Sequence, residues 1–186
     1  CTYADKDDIA LLKQCGVTPV INGGSNLKLA SGVAPVCAML SAGIKPALGT
    51  DGSASNNATS FFREMYLYSC LQKETMKDAS VVSAEQALSA ATEDGYAALG
   101  FEGGRLEAGR LADMVLIDLS QPYMRPLSNV RKNIVYSADS SSVLMTIAGG
   151  KIVYDRGNYF IGEPLDKIYS ECEGRTKRLL REAGFH

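Results

Sequence analysis

The sequence predicts an α/β fold, and three features of its patterning carry that prediction. Through residues 1–99, short apolar runs alternate with amphipathic stretches, the order of strands joined by helices in a parallel sheet. From residue 100 onward, short β-rich runs bounded by Gly, Pro, Ser and Asn take over, the pattern of an antiparallel sheet. A charged helical tail follows. The same features divide the chain into segments 1–100, 101–160 and 161–186.

Taken in order, Asp5 can cap a helix over 5–15, with Ile9, Leu11, Leu12 and Cys15 as its apolar stripe and Gly16 as its stop. Val17 to Ile21 reads as a short strand broken by Pro19, and NGGSN at 22–26 as a loop. Residues 33–43 predict a helix ended by Gly43, and Ile44 to Leu48 a second strand. The stretch GTDGSASNN, 49–57, is a second polar loop. Residues 60–73 predict an amphipathic helix with Phe61, Met65, Tyr68 and Leu71 on one side. Residues 83–99 predict another, capped by Ser83 and Gln86. In the second half, 113–119, 133–138, 143–150 and 151–157 read as strands, and 164–183 as a helix begun by Pro164 and ended by Gly184.

Composition narrows the function. Nineteen Lys and Arg against twenty-one Asp and Glu give a net charge of -2, so the chain has no overall basic surplus for nucleic acid. No apolar run approaches the roughly 18 residues of a membrane span, and the first residues lack a signal-peptide layout, so a cytoplasmic protein is expected. The five cysteines have no CxxC spacing, which predicts buried, reduced thiols. The single histidine is His186. Most hydrolytic zinc sites use two or three imidazoles, so this chain cannot build one alone.

Chemistry in such folds gathers in the loops after the strands. Asp51 follows an apolar run and is the sharpest candidate: a carboxylate there could hold a metal or take a proton, or form an Asx-turn or helix cap. The loop after the first strand offers Asn22, Ser25, Asn26 and Lys28 beside two glycines, which permit positive φ and a close backbone approach. That loop could cradle phosphate or be a plain strand-to-helix turn. Asp113 reads as a turn before a strand. The basic residues Lys167, Arg175, Lys177, Arg178 and Arg181 read as a solvated helix face, and Tyr136 and Tyr154 as core or edge packing.

The string SNLKLASGVAPVCAMLSAGIKPALGTDGSASNN (25–57) resembles the amidohydrolase superfamily. Within it, the resemblance is to the branch of S-adenosylhomocysteine and methylthioadenosine deaminases, guanine deaminases and chlorohydrolases. ALSAATEDGYAALG, GRLEAGRLADMVLIDL and VYSADSSSVLMTIAGGKIVYDRG agree with it, so the resemblance runs over about 1–160. It implies the last strands and helices of a (β/α)8 metal-dependent hydrolase barrel, a small β-sandwich segment and a C-terminal helix. It also implies one divalent metal, zinc or iron, in the complete enzyme, and hydrolytic deamination of a purine-type or related heterocycle. Asp51 matches the family's aspartate in its GTDG-like stretch, which holds the metal and accepts a proton from the attacking water. Asn22, Ser25 and Asn26 match its substrate-side loop. That loop usually reads HNPxSN or HCPxSN; here it is INGGSN, with Ile21 for the histidine and Gly23 for the proline, a change that loosens the loop.

The family's metal histidines and acid glutamate are expected upstream of Cys1. The chain alone is therefore expected to bind no metal and to be inactive, and to self-associate or pair with the missing part of the barrel. The competing expectation is a non-catalytic binding or assembly module derived from the same fold.

Overall fold

A computed structural model describes residues 1–185; His186 lies outside the described residues. Helix α1 (Lys6–Gln14) is capped by the Asp5 carboxylate, which accepts from the N–H groups of Asp7 and Asp8, both at 2.9 Å. Strands β1 (Val20–Ile21) and β2 (Ala47–Leu48) pair in parallel, Val20 opposite Ala47 and Ile21 opposite Leu48. Both are shorter than the sequence suggests. Pro19 and Pro46 stand immediately before them and have no N–H for a ladder. The Pro19 carbonyl still accepts from Ala47 N–H at 2.9 Å, and Gly49 N–H donates to Ile21 O at 3.0 Å.

The segment predicted as loop 22–26 is instead a helix, α2 (Gly23–Lys28). It is followed by α3 (Val36–Ser41), α4 (Phe61–Met76), α5 (Ala84–Ala91) and α6 (Glu93–Ala98). The one helix predicted over 83–99 is thus two. Thr92 breaks it with φ -126 and ψ -97, and its hydroxyl donates to Leu88 O at 2.7 Å. The following loop presses on this corner: a Cβ on Gly104 would lie 2.6 Å from the Glu93 Cα.

Beyond it, β3 (Met114–Ile117), β4 (Val143–Ala148), β5 (Lys151–Asp155) and β6 (Asn158–Tyr159) form an antiparallel sheet in chain order. Two-residue turns close its hairpins. Gly149–Gly150 and Arg156–Gly157 have positive φ throughout, the conformation that matches strand twist. The run predicted as a strand at 133–138 is instead the end of helix α7 (Val130–Tyr136). Asn129 caps α7 by accepting from Lys132 N–H at 3.0 Å. Tertiary packing overrides the β-like composition. Val135 is buried against α4 and α5, and the Tyr136 hydroxyl lies 2.8 Å from Ser69 Oγ.

The core gathers Ile9, Ile21, Val36, Met39, Met65, Tyr68, Ala87 and Val135 from six helices or strands. In α4 the buried face runs through Glu64, Met65, Tyr68, Ser69 and Gln72, while Phe61 is largely exposed. The tail helix α8 (Leu165–Glu182) buries nothing. Lys167, Arg175 and Arg178 pair along its surface with Glu163, Glu171 and Glu182. The expectation of buried cysteines fails: Cys1, Cys15 and Cys172 are exposed and Cys37 and Cys70 half-buried, all five free. Cys15 follows the last residue of α1 and Cys172 lies on α8, places with no core to cover a thiol. No described helix is long and apolar enough to cross a membrane.

Candidate functional site

Parallel β1 and β2 end on the same side, so Asn22 and the loop 49–57 emerge next to one another. A Cβ on Gly49 would come within 2.4 Å of Asn22 Oδ1, which shows how closely the two chain segments pass. Asp51 sits two residues further on with φ 59, a left-handed conformation that a short polar side chain tolerates. Its carboxylate is held from two directions: Ser25 Oγ donates to Oδ2 at 2.6 Å and Gly52 N–H to Oδ1 at 2.7 Å. The Ser25 hydroxyl, then the Gly52 amide, hold the Asp51 carboxyl below the ordinary carboxylate range, so it stays ionised at neutral pH.

The structure therefore joins two of the five candidate residues, Ser25 and Asp51. Asn22 stands at the start of α2 without capping it through its side chain. Asn26 contributes main chain: its N–H donates to Asn22 O at 3.0 Å, and its carbonyl accepts from Ser31 N–H at 2.8 Å. Lys28 reaches across instead, donating to Ala54 O at 3.0 Å and Asn57 Oδ1 at 2.6 Å. A loop carrying one acidic and several small polar residues is thus laced to α2 at both ends.

Neither glycine of α2 has the positive φ the sequence suggests. Close approach is the reason for Gly24, and the approaching group is a carboxylate. A Cβ on Gly24 would meet Glu64 Oε1 at 2.5 Å and Asn56 Nδ2 at 2.8 Å. Glu64 is fully buried on α4. It accepts from Gly24 N–H at 3.0 Å through Oε2 and from Asn56 Nδ2 at 2.8 Å through Oε1. Asn56 Nδ2 also donates to Thr50 O at 2.9 Å. Sequence reading passed over Glu64 and Asn56. The available signal was a glutamate one helical turn from both Phe61 and Tyr68, two residues of the predicted apolar side.

Asp51 is a lone carboxylate, and no three His, Cys, Asp or Glu side chains converge among the described residues. Three protein ligands are usual even for an open catalytic zinc. Ile21 packs into the core, and its side chain offers no ligating atom. A separate cavity of about 540 Å³ is lined by Val20, Leu48, Leu99, Phe101, Tyr96 and Asp113, among others. It is mainly apolar and excludes Asp51.

The chain is 40% identical over 183 residues to the 5-methylthioadenosine/S-adenosylhomocysteine deaminase of Caldanaerobacter subterraneus subsp. tengcongensis, covering 97% of this chain and 42% of that protein. It superposes with a TM-score of 0.90 and 34% identity on the crystal structure of an adenosine deaminase from Xanthomonas campestris with bound zinc, covering 95% of this chain and 40% of that one. The fold also matches atrazine chlorohydrolase TrzN from Arthrobacter aurescens TC1 complexed with zinc, with a TM-score of 0.85 and 22% identity over 93% of this chain and 39% of that one. The chain thus spans less than half the length of the relatives it matches. Residues 1–153 match the model of the amidohydrolase family, and the chain belongs to that family.

Proposed function

We propose that this chain is the C-terminal portion of a metal-dependent aminohydrolase that deaminates an adenosine-type or related heterocyclic substrate. Residues 1–100 are read as the last part of its (β/α)8 barrel, 101–160 as a β-sandwich segment and 161–186 as a C-terminal segment. The observation that carries the reading is Asp51. It is an ionised carboxylate at the carboxyl end of a parallel strand, pinned by Ser25, in a chain 40% identical to a deaminase. Ligands in such sheets bind outside the carboxyl ends of the strands.

In the complete enzyme, Asp51 would supply one anionic ligand to a zinc or iron ion, the other ligands coming from outside this chain. The Ser25 hydroxyl fixes which oxygen of Asp51 stays paired, and the Gly52 N–H orients the other. Asn22 and Asn26 line the substrate side of the same loop pair. Because one carboxylate does not retain a metal against water, the chain alone holds no zinc and performs no hydrolysis.

The test is ammonia release from adenosine, S-adenosylhomocysteine, methylthioadenosine and 5'-deoxyadenosine, with metal content measured alongside. The longer enzyme carrying this segment, loaded with zinc, is expected to deaminate at least one; the chain alone is expected to do neither. Zinc-dependent turnover by the chain alone, or none by the longer enzyme, overturns the proposal. A second reading, a non-catalytic binding or assembly module, is favoured by the lone carboxylate among the described residues. An inactive longer enzyme would leave that reading standing.

A further inference from the structure

The buried carboxylate of Glu64 has no part in the chemistry just described, yet it touches both elements that build the Asp51 site. Its two oxygens are divided between them. Oε2 takes the N–H of Gly24, in the first turn of α2 and adjacent to Ser25. Oε1 takes Asn56 Nδ2, whose second hydrogen goes to the carbonyl of Thr50, adjacent to Asp51. The Ser25–Asp51 hydrogen bond closes the circuit. From Gly24 through Glu64, Asn56 and Thr50 to Asp51, and back through Ser25, every link is a hydrogen bond or a peptide bond.

This circuit is also packed too tightly to be incidental. The Gly24 position has no room for a Cβ, and Asn56 and Glu64 are almost wholly inaccessible to water. Asp51 itself is exposed and sits in a left-handed conformation, held at its carboxylate by the Ser25 hydroxyl and the Gly52 amide. The rigid part of the site lies beneath it.

We propose that Glu64 is a positioning residue: from α4 it sets the separation between α2 and the 50–57 loop, and so fixes where the Asp51 carboxylate is held. The proposal rests on the reading of Asp51 as the metal-facing carboxylate. Glu64→Gln keeps the volume but turns an amide N–H₂ toward either the Gly24 N–H or the Asn56 amide, so one donor faces another. Asn56→Ala cuts the link to Thr50 while leaving Glu64 in place.

The experiment has two readouts. In the chain itself, amide hydrogen exchange over residues 50–57 is expected to speed up about tenfold in both variants, through local opening insensitive to urea, while amides of α5 and β4 keep their protection. In the zinc-loaded longer enzyme, kcat is expected to fall about tenfold with KM within about twofold, since misplacing a held group by a fraction of an ångström acts on turnover. Loop and core exchange rising together, or no change in either, reduces Glu64 to a fold-stabilising residue and overturns the proposal. So does faster loop exchange with kcat unchanged. Should Glu64→Gln fail to fold, Asn56→Ala carries both readouts. Asp51→Asn, assayed in parallel, tests the reading beneath: full turnover there removes the role of Asp51. Turnover lost there but kept in Glu64→Gln removes only the positioning.

Discussion

The Tyr96 hydroxyl donates to Oδ2 of Asp113, tying α6 to the start of β3. The other oxygen of Asp113 accepts the N–H of Gly149 at 2.6 Å, in the β4–β5 turn. One carboxylate thus joins the helical half to two corners of the antiparallel sheet. The bond to Asp113, then burial, pushes the Tyr96 phenol up to about 12 from its ordinary 10.0. The same bond, then the Gly149 amide, lowers the Asp113 carboxyl from its ordinary 3.8.

Linkage gives this pair a pH window. Tyr96 binds its proton more tightly when folded, so its contribution is complete below about pH 10 and is lost as pH rises through 12. Asp113 is the reverse: its contribution is present above pH 3.8 and is lost as pH falls below that. Urea midpoints measured across pH should show a plateau between these limits. Tyr96→Phe should lower the plateau and remove the alkaline limb assigned to this pair. A tyrosinate absorbance titration should lose one late-titrating phenol in that variant. An unaltered alkaline limb would contradict the assignment.

The paired glycines of α2 should respond oppositely. Gly24→Ala drives a methyl into Glu64 and Asn56, and overpacking of this kind costs about 1–3 kcal/mol. Gly23 stands at the first position of α2, where proline's missing N–H is tolerated, and Asn22 before it has ψ 72, outside the helical region that proline disfavours. Gly23→Pro should therefore leave stability unchanged or raise it by about 0.4–1 kcal/mol through the unfolded chain. Chemical denaturation of the two variants beside the parent chain separates them.

Ser69 anchors three elements through one hydroxyl, which donates to Val82 O at 2.7 Å and meets Tyr136 Oη at 2.8 Å. Val82 has φ 46, a strained value for a β-branched residue, so this bond holds an unfavourable backbone in place. Ser69→Ala should cost about 1–3 kcal/mol, because it leaves a buried carbonyl unpaired. Calorimetry would read this as a lower Tm; an unchanged Tm would show that Val82 is held by packing alone.

Helix α8 should be dispensable for the stability of the rest. It buries no residue, and its ion pairs are exposed i,i+4 pairs, each contributing about 0.3–0.5 kcal/mol to the helix alone. Removing residues 163–186 should leave the cooperative unfolding transition of 1–162 in place. A large fall in the midpoint would reveal contacts that α8 makes in solution.

How much of this was legible beforehand depends on whether a feature is local. Asp5, Ser83 and Pro164 mark helix starts through their own side chains or rings, and those starts stand where they were read. The strands within 143–157 were read from their β-rich runs, and the glycines ending each run stand at the turns. The helices misread as loop, strand or one unbroken run come from partners distant in sequence. Gly23 and Gly24 look like a loop until Glu64, forty residues on, is placed against them. Ile134, Val135 and Tyr136 look like a strand until α4 and α5 supply a surface for a helix. The Thr92 corner needed the loop through Gly104. For the site, Asp51 and Ser25 were readable as polar residues after strands, but their bond spans twenty-six positions and nothing local encodes it.

The outward-facing thiols bear on any attempt to weigh this molecule in solution. Cys1, Cys15 and Cys172 are open to solvent, Cys1 and Cys15 lining one cavity beside α1 and Cys172 on α8. Accessible thiols exchange and oxidise, so air alone can stitch copies together covalently. Dimers and ladders seen without reductant would then record sulfur chemistry, whereas species that survive reduction would report non-covalent association of the chain.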